Sequence, residues 1–434
     1  MSEVTYEKLV DEKDFIRLLQ VHAEPFLRLS NFLSEAKDRW NKRHYYQLIN
    51  EADSLESVLD DYGARFNRTY AFFTELVASI RWFAHTGYST AHLLARLGSY
   101  SGNHATEGIW GSATIDVEQG LDYVQKTTLR LLQKVREEAV FLGMELTPKS
   151  YPENEFLPVV ARKRLPRNVG QADLLQEEQK IAEVVTKYLQ AREMLREIGV
   201  RRIDDPEERH KLFARACSEE NARVYEATIH NLQSTYDTHI QNTVLEAQDS
   251  RLGELRGFIS PALHLLQSVT FLAHFVERHE TVIRSEEAKR KIAEVIERPE
   301  VEAIAWNLFL MWADRFLESG VNLAQGLLAE YTKLTELEVE LPNDLSVHAR
   351  PAALIVGIVN YYGTPVEMEL AGKRCNAGSI LELLVAVGSV PGARKFVFRG
   401  DERPVRDIGR LFEHGLGELG MDVLPPELHY LKQQ

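Results

Sequence analysis

The sequence predicts a multidomain chain: an all-α N-terminal region, bundle-like or coiled-coil-like, followed by a C-terminal α+β open-faced sandwich, an antiparallel sheet with helices on one face. Three observations carry this. Apolar residues recur at three- and four-residue steps from Tyr6 to about Met144 and again from Gln171 to about Thr335, which is the spacing of amphipathic helices. Between these stretches stand Pro148, Pro152, Pro158 and Pro166, each of which disfavours helix at the residue before it. At Glu336 the pattern becomes an alternation of apolar and acidic residues, the signature of a half-buried strand. The division expected is 1–146 helical region, 147–170 proline-containing linker, 171–335 long-helix bundle, 336–422 sandwich domain and 423–434 tail.

In the first region Leu121, Val124, Leu132 and Val135 illustrate the helical spacing. Residues 98–114, rich in Gly, Ser and Asn and holding His104 and Trp110, read as a long loop joining helices. The 147–170 stretch reads as a linker or an extended strap. Its basic cluster Arg162, Lys163, Arg164 and Arg167 reads as solvated, with a dock for an acidic partner as the alternative. After Pro206 no Pro or Gly occurs up to Asp249, which admits one helix of about eleven to thirteen turns. Residues 258–276 carry a wide apolar stripe (Phe258, Ile259, Leu263, Leu266, Val269, Leu272), with Ser260 and Pro261 as cap and first helical position. Residues 301–335 supply a further stripe through Ile304, Leu308, Phe316, Leu323 and Leu327. Antiparallel packing of such helices makes a bundle, and the amount of apolar stripe leads us to expect a homo-oligomer formed through this region.

In the last region Leu337, Val339 and Leu341 alternate with Glu336, Glu338 and Glu340, and Val366, Met368 and Leu370 with Glu367 and Glu369. A short strand is expected at Arg374 and Cys375 and a last one at Phe396 and Phe398. Helical runs fall at about 350–360, 380–387 and 405–419. The order β, α, β, β, α, β, α with one polar strand face implies an antiparallel sheet covered on one side.

Composition narrows the function. Lys and Arg number 51 against 65 Asp and Glu, a net charge of −14, which argues against nucleic-acid and anionic-membrane partners. Two cysteines, Cys217 and Cys375, exclude a disulfide framework and a Cys-rich zinc site, and fit a reducing cytosol. The first 14 residues hold five acidic ones, unlike an export signal. The apolar stretch 303–313 is too short to cross about 30 Å of hydrocarbon, so no membrane insertion is expected and the location expected is cytoplasmic. None of the common phosphate-loop, dinucleotide, zinc-protease or hydrolase motifs occurs. His274 and His279 flank Glu277, but a five-residue spacing does not share a helix face well. Neither a metal nor a cofactor is expected, and no independent catalytic site is recognised.

The chemistry concentrates in 341–353, Leu-Pro-Asn-Asp-Leu-Ser-Val-His348-Ala-Arg350-Pro351-Ala-Ala, which reads as strand, short loop and helix start. Pro351 fixes the boundary, because its missing N–H is no loss in a first helical turn. His348 then sits at the helix N-terminus, where unpaired amides and the positive dipole end favour an anion, and Arg350 adds a fixed positive charge. A neutral imidazole is a competent nucleophile near neutrality, since the free side chain titrates at about 6.5. Taken alone, such a histidine reads first as a loop or capping residue; Arg350, Pro351 and the pattern that follows reverse that weighting.

This segment resembles HPr, the histidine-containing phosphocarrier of the bacterial phosphoenolpyruvate:sugar phosphotransferase system. The resemblance spans about 336–420 and rests on His348-Ala-Arg350-Pro351-Ala-Ala, on Gly372-Lys373 and on Asn376-Ala-Gly-Ser379-Ile380, together with the strand order. It implies that His348 takes a phosphoryl group on its δ1 nitrogen from an enzyme I-type donor and gives it to a IIA-type acceptor in sugar transport, with Arg350 neutralising the phosphate. It also implies an apolar partner-docking patch at Ile380, Leu381 and Leu384, for which ordinary core is the other reading. Ser379 starts an S-x-x-E capping box with Glu382, while in part of that family this serine is the target of a regulatory serine kinase. Two positions depart from the family pattern: Ser346 stands where Gly is common, and Gly378 where Lys is common. The function expected is that of an HPr-like phosphocarrier or regulatory protein whose helical region sets oligomerisation or partner choice. The alternative is a non-phosphorylated HPr-fold adaptor or scaffold.

Overall fold

The computed structural model describes residues 10–36, 38–100, 107–157, 174–278, 285–341, 345–418 and 420–433. Their helices begin with α1 (Glu12–Glu35), α2 (Lys42–Asp61), α3 (Ala71–Tyr100), α4 (Glu107–Phe141), α5 (Leu174–Ile198), α6 (Pro206–Ala216), α7 (Glu219–His239) and α8 (Val244–Gln248). There follow α9 (Ser250–Arg278), α10 (Glu286–Ala293), α11 (Arg298–Ile304), α12 (Met311–Ser319) and α13 (Val321–Tyr331). The chain divides into two compact units, one of Met1–Arg167, Leu195–His230 and Gly257–Glu318, the other of Asn168–Met194, Asn231–Arg256 and Ser319–Gln434.

The first unit is helical and differs from the sequence expectation in several places. Where a loop was expected over 98–114, α3 runs to Tyr100 and α4 starts at Glu107. Trp110 is buried, stacked on Phe258 at 5.8 Å and against Phe316 at 4.9 Å; burying this ring outweighs the weak helix propensity of the Gly and Ser around it. His104 lies outside the described residues. A Cβ on Gly87 of α3 would collide with the Tyr45 ring of α2, so glycine there permits the close packing of the two helices. The first half of the proline-containing stretch is an extended strap. Asn31 of α1 donates to the carbonyls of Thr147 and Lys149 at 2.9 and 3.1 Å, Tyr151 N donates to Arg28 O at 3.1 Å, and Leu157 N donates to Gln47 Oε1 at 2.8 Å. The basic cluster from Arg162 to Arg167 lies outside the described residues.

The single helix admitted over 205–249 is three. Cys217 leaves helical geometry (φ −123°, ψ 35°), and Ser218 Oγ accepts from Asn221 N at 3.1 Å to begin α7. Asn242 adopts φ 63° and the Thr243 side chain caps α8. Side chains of this kind offer the backbone partners that compete with a continuous helix. Ser260 and Pro261 do not start a helix but lie inside α9, which tolerates the missing N–H of Pro261 within a buried stretch. α9 is long and apolar enough to cross a membrane by length and composition, yet 83% of its apolar window is buried in the protein, as in a core helix. The stripe over 301–335 is broken into α11, a π turn at Ala305–Leu310, α12 and α13. At the π turn Asn307 accepts from Ile203 N at 2.9 Å and donates to Ile203 O at 2.8 Å, and Trp306 Nε1 donates to Arg201 O at 2.8 Å.

In the second unit the sheet comprises β1 (Leu334–Glu340), β2 (Val366–Leu370), β3 (Lys373–Asn376) and β4 (Lys395–Asp401). Their order is β1-β4-β2-β3, with every pair antiparallel. α14 (Ala349–Tyr362), α15 (Ile380–Ser389) and α16 (Glu402–Glu413) complete the βαββαβα order. Met368, Leu370, Phe396 and Phe398 face Ile355, Ile358, Leu383, Ile408 and Leu411 in one core. The other sheet face is a ladder of charge: Arg399 bridges Glu336 at 2.7 Å and Glu369 at 2.6 Å, and Lys395 pairs with Glu338 at 3.0 Å. This is an open-faced sandwich, as the alternation predicts.

Its C-terminus corrects the expected boundary. α16 stops at Glu413, short of the expected end near 419, because Gly415, Leu416 and Gly417 take φ of 66°, 57° and 73°. The residues expected as a tail form short 3₁₀ turns whose Leu424, Leu428 and Leu431 are buried in the sandwich core. Buried Asp407 on α16 accepts from Tyr362 Oη at 2.7 Å and Tyr430 Oη at 3.0 Å and pairs with Arg410 at 2.9 Å. Burial first, together with the nearby Asp407 carboxylate, pushes both tyrosine hydroxyls above their ordinary pKa, so they remain donors. At the far end of α14, Gly363 takes φ 68°, and a Cβ there would press on Glu183 of α5. Leu428→Ala should therefore destabilise the protein by about 3 kcal/mol, read as a lower midpoint in urea, whereas a true tail residue would leave the midpoint unchanged.

Candidate functional site

The site is built at the N-terminal end of α14. Val347 is buried and anchors the loop from β1, and Pro351 is buried in the first turn, which leaves His348 as the N-cap with extended backbone (φ −109°, ψ −165°). Ala352 N donates to His348 O at 3.0 Å, closing the first helical turn. The imidazole itself is half exposed. Arg350 N donates to Nδ1 at 3.4 Å, and Glu418 Oε1 lies 3.2 Å from Nε2.

Arg350 is exposed, and among the described residues its guanidinium has no carboxylate partner. Pro351 has no N–H, so the amides offered at this end are those of Ala349 and Arg350. The arrangement presents a half-exposed imidazole, two amides and, among the described residues, a guanidinium without a carboxylate partner within three residues, on the positive end of a 14-residue helix. Such an end stabilises an anion placed there. Ser346, the first departure from the family pattern, is exposed in the loop.

Ser379 is the N-cap of α15, its Oγ accepting from Glu382 N at 3.4 Å. The reciprocal half of the expected capping box goes elsewhere: Glu382 Oε2 accepts from Asn376 N at 2.9 Å. At Gly378 a Cβ would stand 3.1 Å from Val359 Cγ1 and 3.2 Å from Asn376 Oδ1, so a side chain at this departure requires a small shift of those two side chains. Of the apolar residues on α15, Ile380 is 42% exposed and Leu381 71%, so both lie on the surface. Leu384 is half-buried and packs on the core. Val385, 62% exposed, joins the surface patch instead; its position one turn after Leu381 was the sequence signal for it.

Glu418 could not have been found by spacing, because it meets His348 only through the fold. Elsewhere His274 is a packed histidine, buried against Trp82 at 3.8 Å with Nδ1 2.8 Å from Glu219, and His279 lies outside the described residues. Among the described residues no group of three or more His, Cys, Asp or Glu could hold a metal ion.

Compared with known families, residues 335–389 match the family described as PTS HPr component phosphorylation site. The match covers 55 of the 434 residues, and the region before it has no recognised family. No curated protein and no solved structure matched the chain. The C-terminal segment is thus similar to phosphocarrier-type HPr components in both sequence and fold. Ser379→Ala should lower stability by about 1 kcal/mol through loss of the cap while Ser379→Asp preserves it, a difference that chemical denaturation of the two variants resolves.

Proposed function

We propose that the protein is an HPr-like phosphocarrier in which His348 accepts a phosphoryl group on Nδ1 from an enzyme I-type donor and yields it to a IIA-type acceptor. The observation that carries this reading is the placement of His348 as an exposed N-cap beside Arg350, whose guanidinium has no carboxylate partner among the described residues. In the forward step the Nδ1 lone pair forms the N–P bond while the donor's bond to phosphorus breaks, its electron pair leaving with the donor group. As the N–P bond forms, the amide of Arg350 gives up its hydrogen bond to the Nδ1 lone pair and, with that of Ala349, becomes a donor for the phosphoryl oxygens. The guanidinium neutralises the charge that accumulates in transit. The N–P bond of a phosphoimidazole stays reactive, which suits a relay.

Exposed Ile380, Leu381 and Val385 are the surface such a relay would offer to successive partners, and a phosphate placed on Ser379 by a serine kinase would set charge beside it. The helical region serves oligomerisation or partner choice, and light scattering on the full chain at micromolar concentration should give a mass above that of one copy; a strict monomer removes that role.

His348→Ala should abolish acid-labile labelling by enzyme I and phosphoenolpyruvate. Arg350→Ala should slow labelling on the order of tenfold, the scale of one charge-assisted hydrogen bond, while keeping the same acceptor. Unlabelled wild type with a competent enzyme I would leave the adaptor role in place of this one.

A further inference from the structure

We propose that Glu418 is a positioning residue for His348, holding the ring proton on Nε2 so that Nδ1 is the nucleophile; this rests on the phosphoryl-acceptor reading above and adds a residue to it. A neutral imidazole has one N–H and one lone pair. Its two partners here are of opposite kinds: a carboxylate oxygen 3.2 Å from Nε2 and a backbone N–H 3.4 Å from Nδ1. A carboxylate accepts only, and an amide N–H donates only, so the proton belongs on Nε2 and the lone pair on Nδ1. The same carboxylate faces the ring when Nδ1 bonds to phosphorus. At that moment the ring carries both a phosphoryl group and the Nε2 proton and gains positive character, which Glu418 stabilises more strongly than it stabilises the neutral ground state. The proton stays on Nε2, facing the Glu418 carboxylate 3.2 Å away, throughout, and no further reactant is needed.

The fold holds Glu418 in place from both sides. Leu416, two residues before it, is fully buried in the sandwich core although its φ of 57° is a conformation that a non-glycine residue adopts at a cost. A Cβ on Gly417 would collide with Leu354 of α14, so glycine lets the turn lie directly against the helix that carries His348. After it, the segment is fastened by Leu424 and Leu428 in the core and by Tyr430, which stacks on Tyr361 of α14 at 3.8 Å and donates to Asp407. The turn is thus bound to α14 before and after Glu418.

The test uses full-length protein with ring-¹⁵N histidine, the His348 signal being identified by its loss in His348→Ala. Wild type should show His348 as the Nε2–H tautomer. Glu418→Ala should raise the Nδ1–H form several-fold, whereas Glu418→Gln, which keeps an acceptor oxygen, should retain the wild-type tautomer. Both variants should be labelled by enzyme I more slowly, by about three- to tenfold given the exposure of the pair. A tautomer balance unchanged in Glu418→Ala, or full labelling rates in both variants, overturns the assignment. A tautomer shift in Glu418→Ala with no labelling of any protein supports the positioning role and removes the phosphocarrier reading instead.

Discussion

The second unit is organised around one buried carboxylate. Asp407, 1% exposed, would be costly to bury alone, by several kcal/mol, and it is stable there because Tyr362, Tyr430 and Arg410 surround it with donors. These partners come from the C-terminal end of α14, from the closing 3₁₀ segment and from α16 itself. One group therefore fixes how three separate stretches of chain meet. Since α14 is one continuous helix of 14 residues, or about 21 Å at 1.5 Å per residue, fixing its C-terminal end and the segment returning along it also bears on what lies opposite His348 at its N-terminal end.

A histidine that exchanges phosphate between two proteins has to remain accessible to both, so it cannot use the dry, low-dielectric surroundings that strengthen most catalytic electrostatics. Under the proposed role, the N-terminus of α14 answers that constraint. Its amides and dipole are fixed by the backbone and need no enclosure, although solvent holds a dipole contribution at such an exposed end to about 0.3–1 kcal/mol. Modest, local stabilisation of this kind is compatible with a group that has to leave again, whereas a deep anion site would hold it.

The sandwich was legible because its signals are local. Glu336, Glu338 and Glu340 alternate with Leu337 and Val339 at the strand period, and His348-Ala-Arg350-Pro351 combines a capping position with a residue that can only start a helix. What was missed depends on distance in the chain. Glu418 is brought to His348 by positive-φ residues at 415–417, one of them Leu416, which no propensity argument would place there. Leu424, Leu428 and Leu431 follow a weak pattern interrupted by Pro425 and Pro426, and only the existing core shows that they have somewhere to pack. In the helical region the errors ran the same way: Trp110 and Pro261 are helical because burial outweighs local preference, and the breaks at Cys217 and Asn242 arise from short polar side chains rather than from Gly or Pro.

Under the proposed role, the junction before the sandwich bears on how partners reach His348. α13 ends at Tyr331 and β1 begins at Leu334, leaving two residues between helix and strand. Both sides of that junction are tied within the unit: Arg403 donates to Tyr331 O at 2.9 Å, Glu402 N donates to Lys333 O at 2.7 Å, and Tyr331 Oη donates to Asp249 at 3.1 Å. Gln179 of α5 donates to Tyr361 O at 3.3 Å, close to where Gly363 meets Glu183. The sandwich is therefore mounted on helical segments at β1 and at the C-terminal end of α14, while the N-terminal end of α14 and the exposed face of α15 are left for exchange. Under the proposed role, a partner must approach a fixed mount rather than a freely tumbling carrier, so the helical segments restrict which partners fit, in addition to the apolar residues on α15.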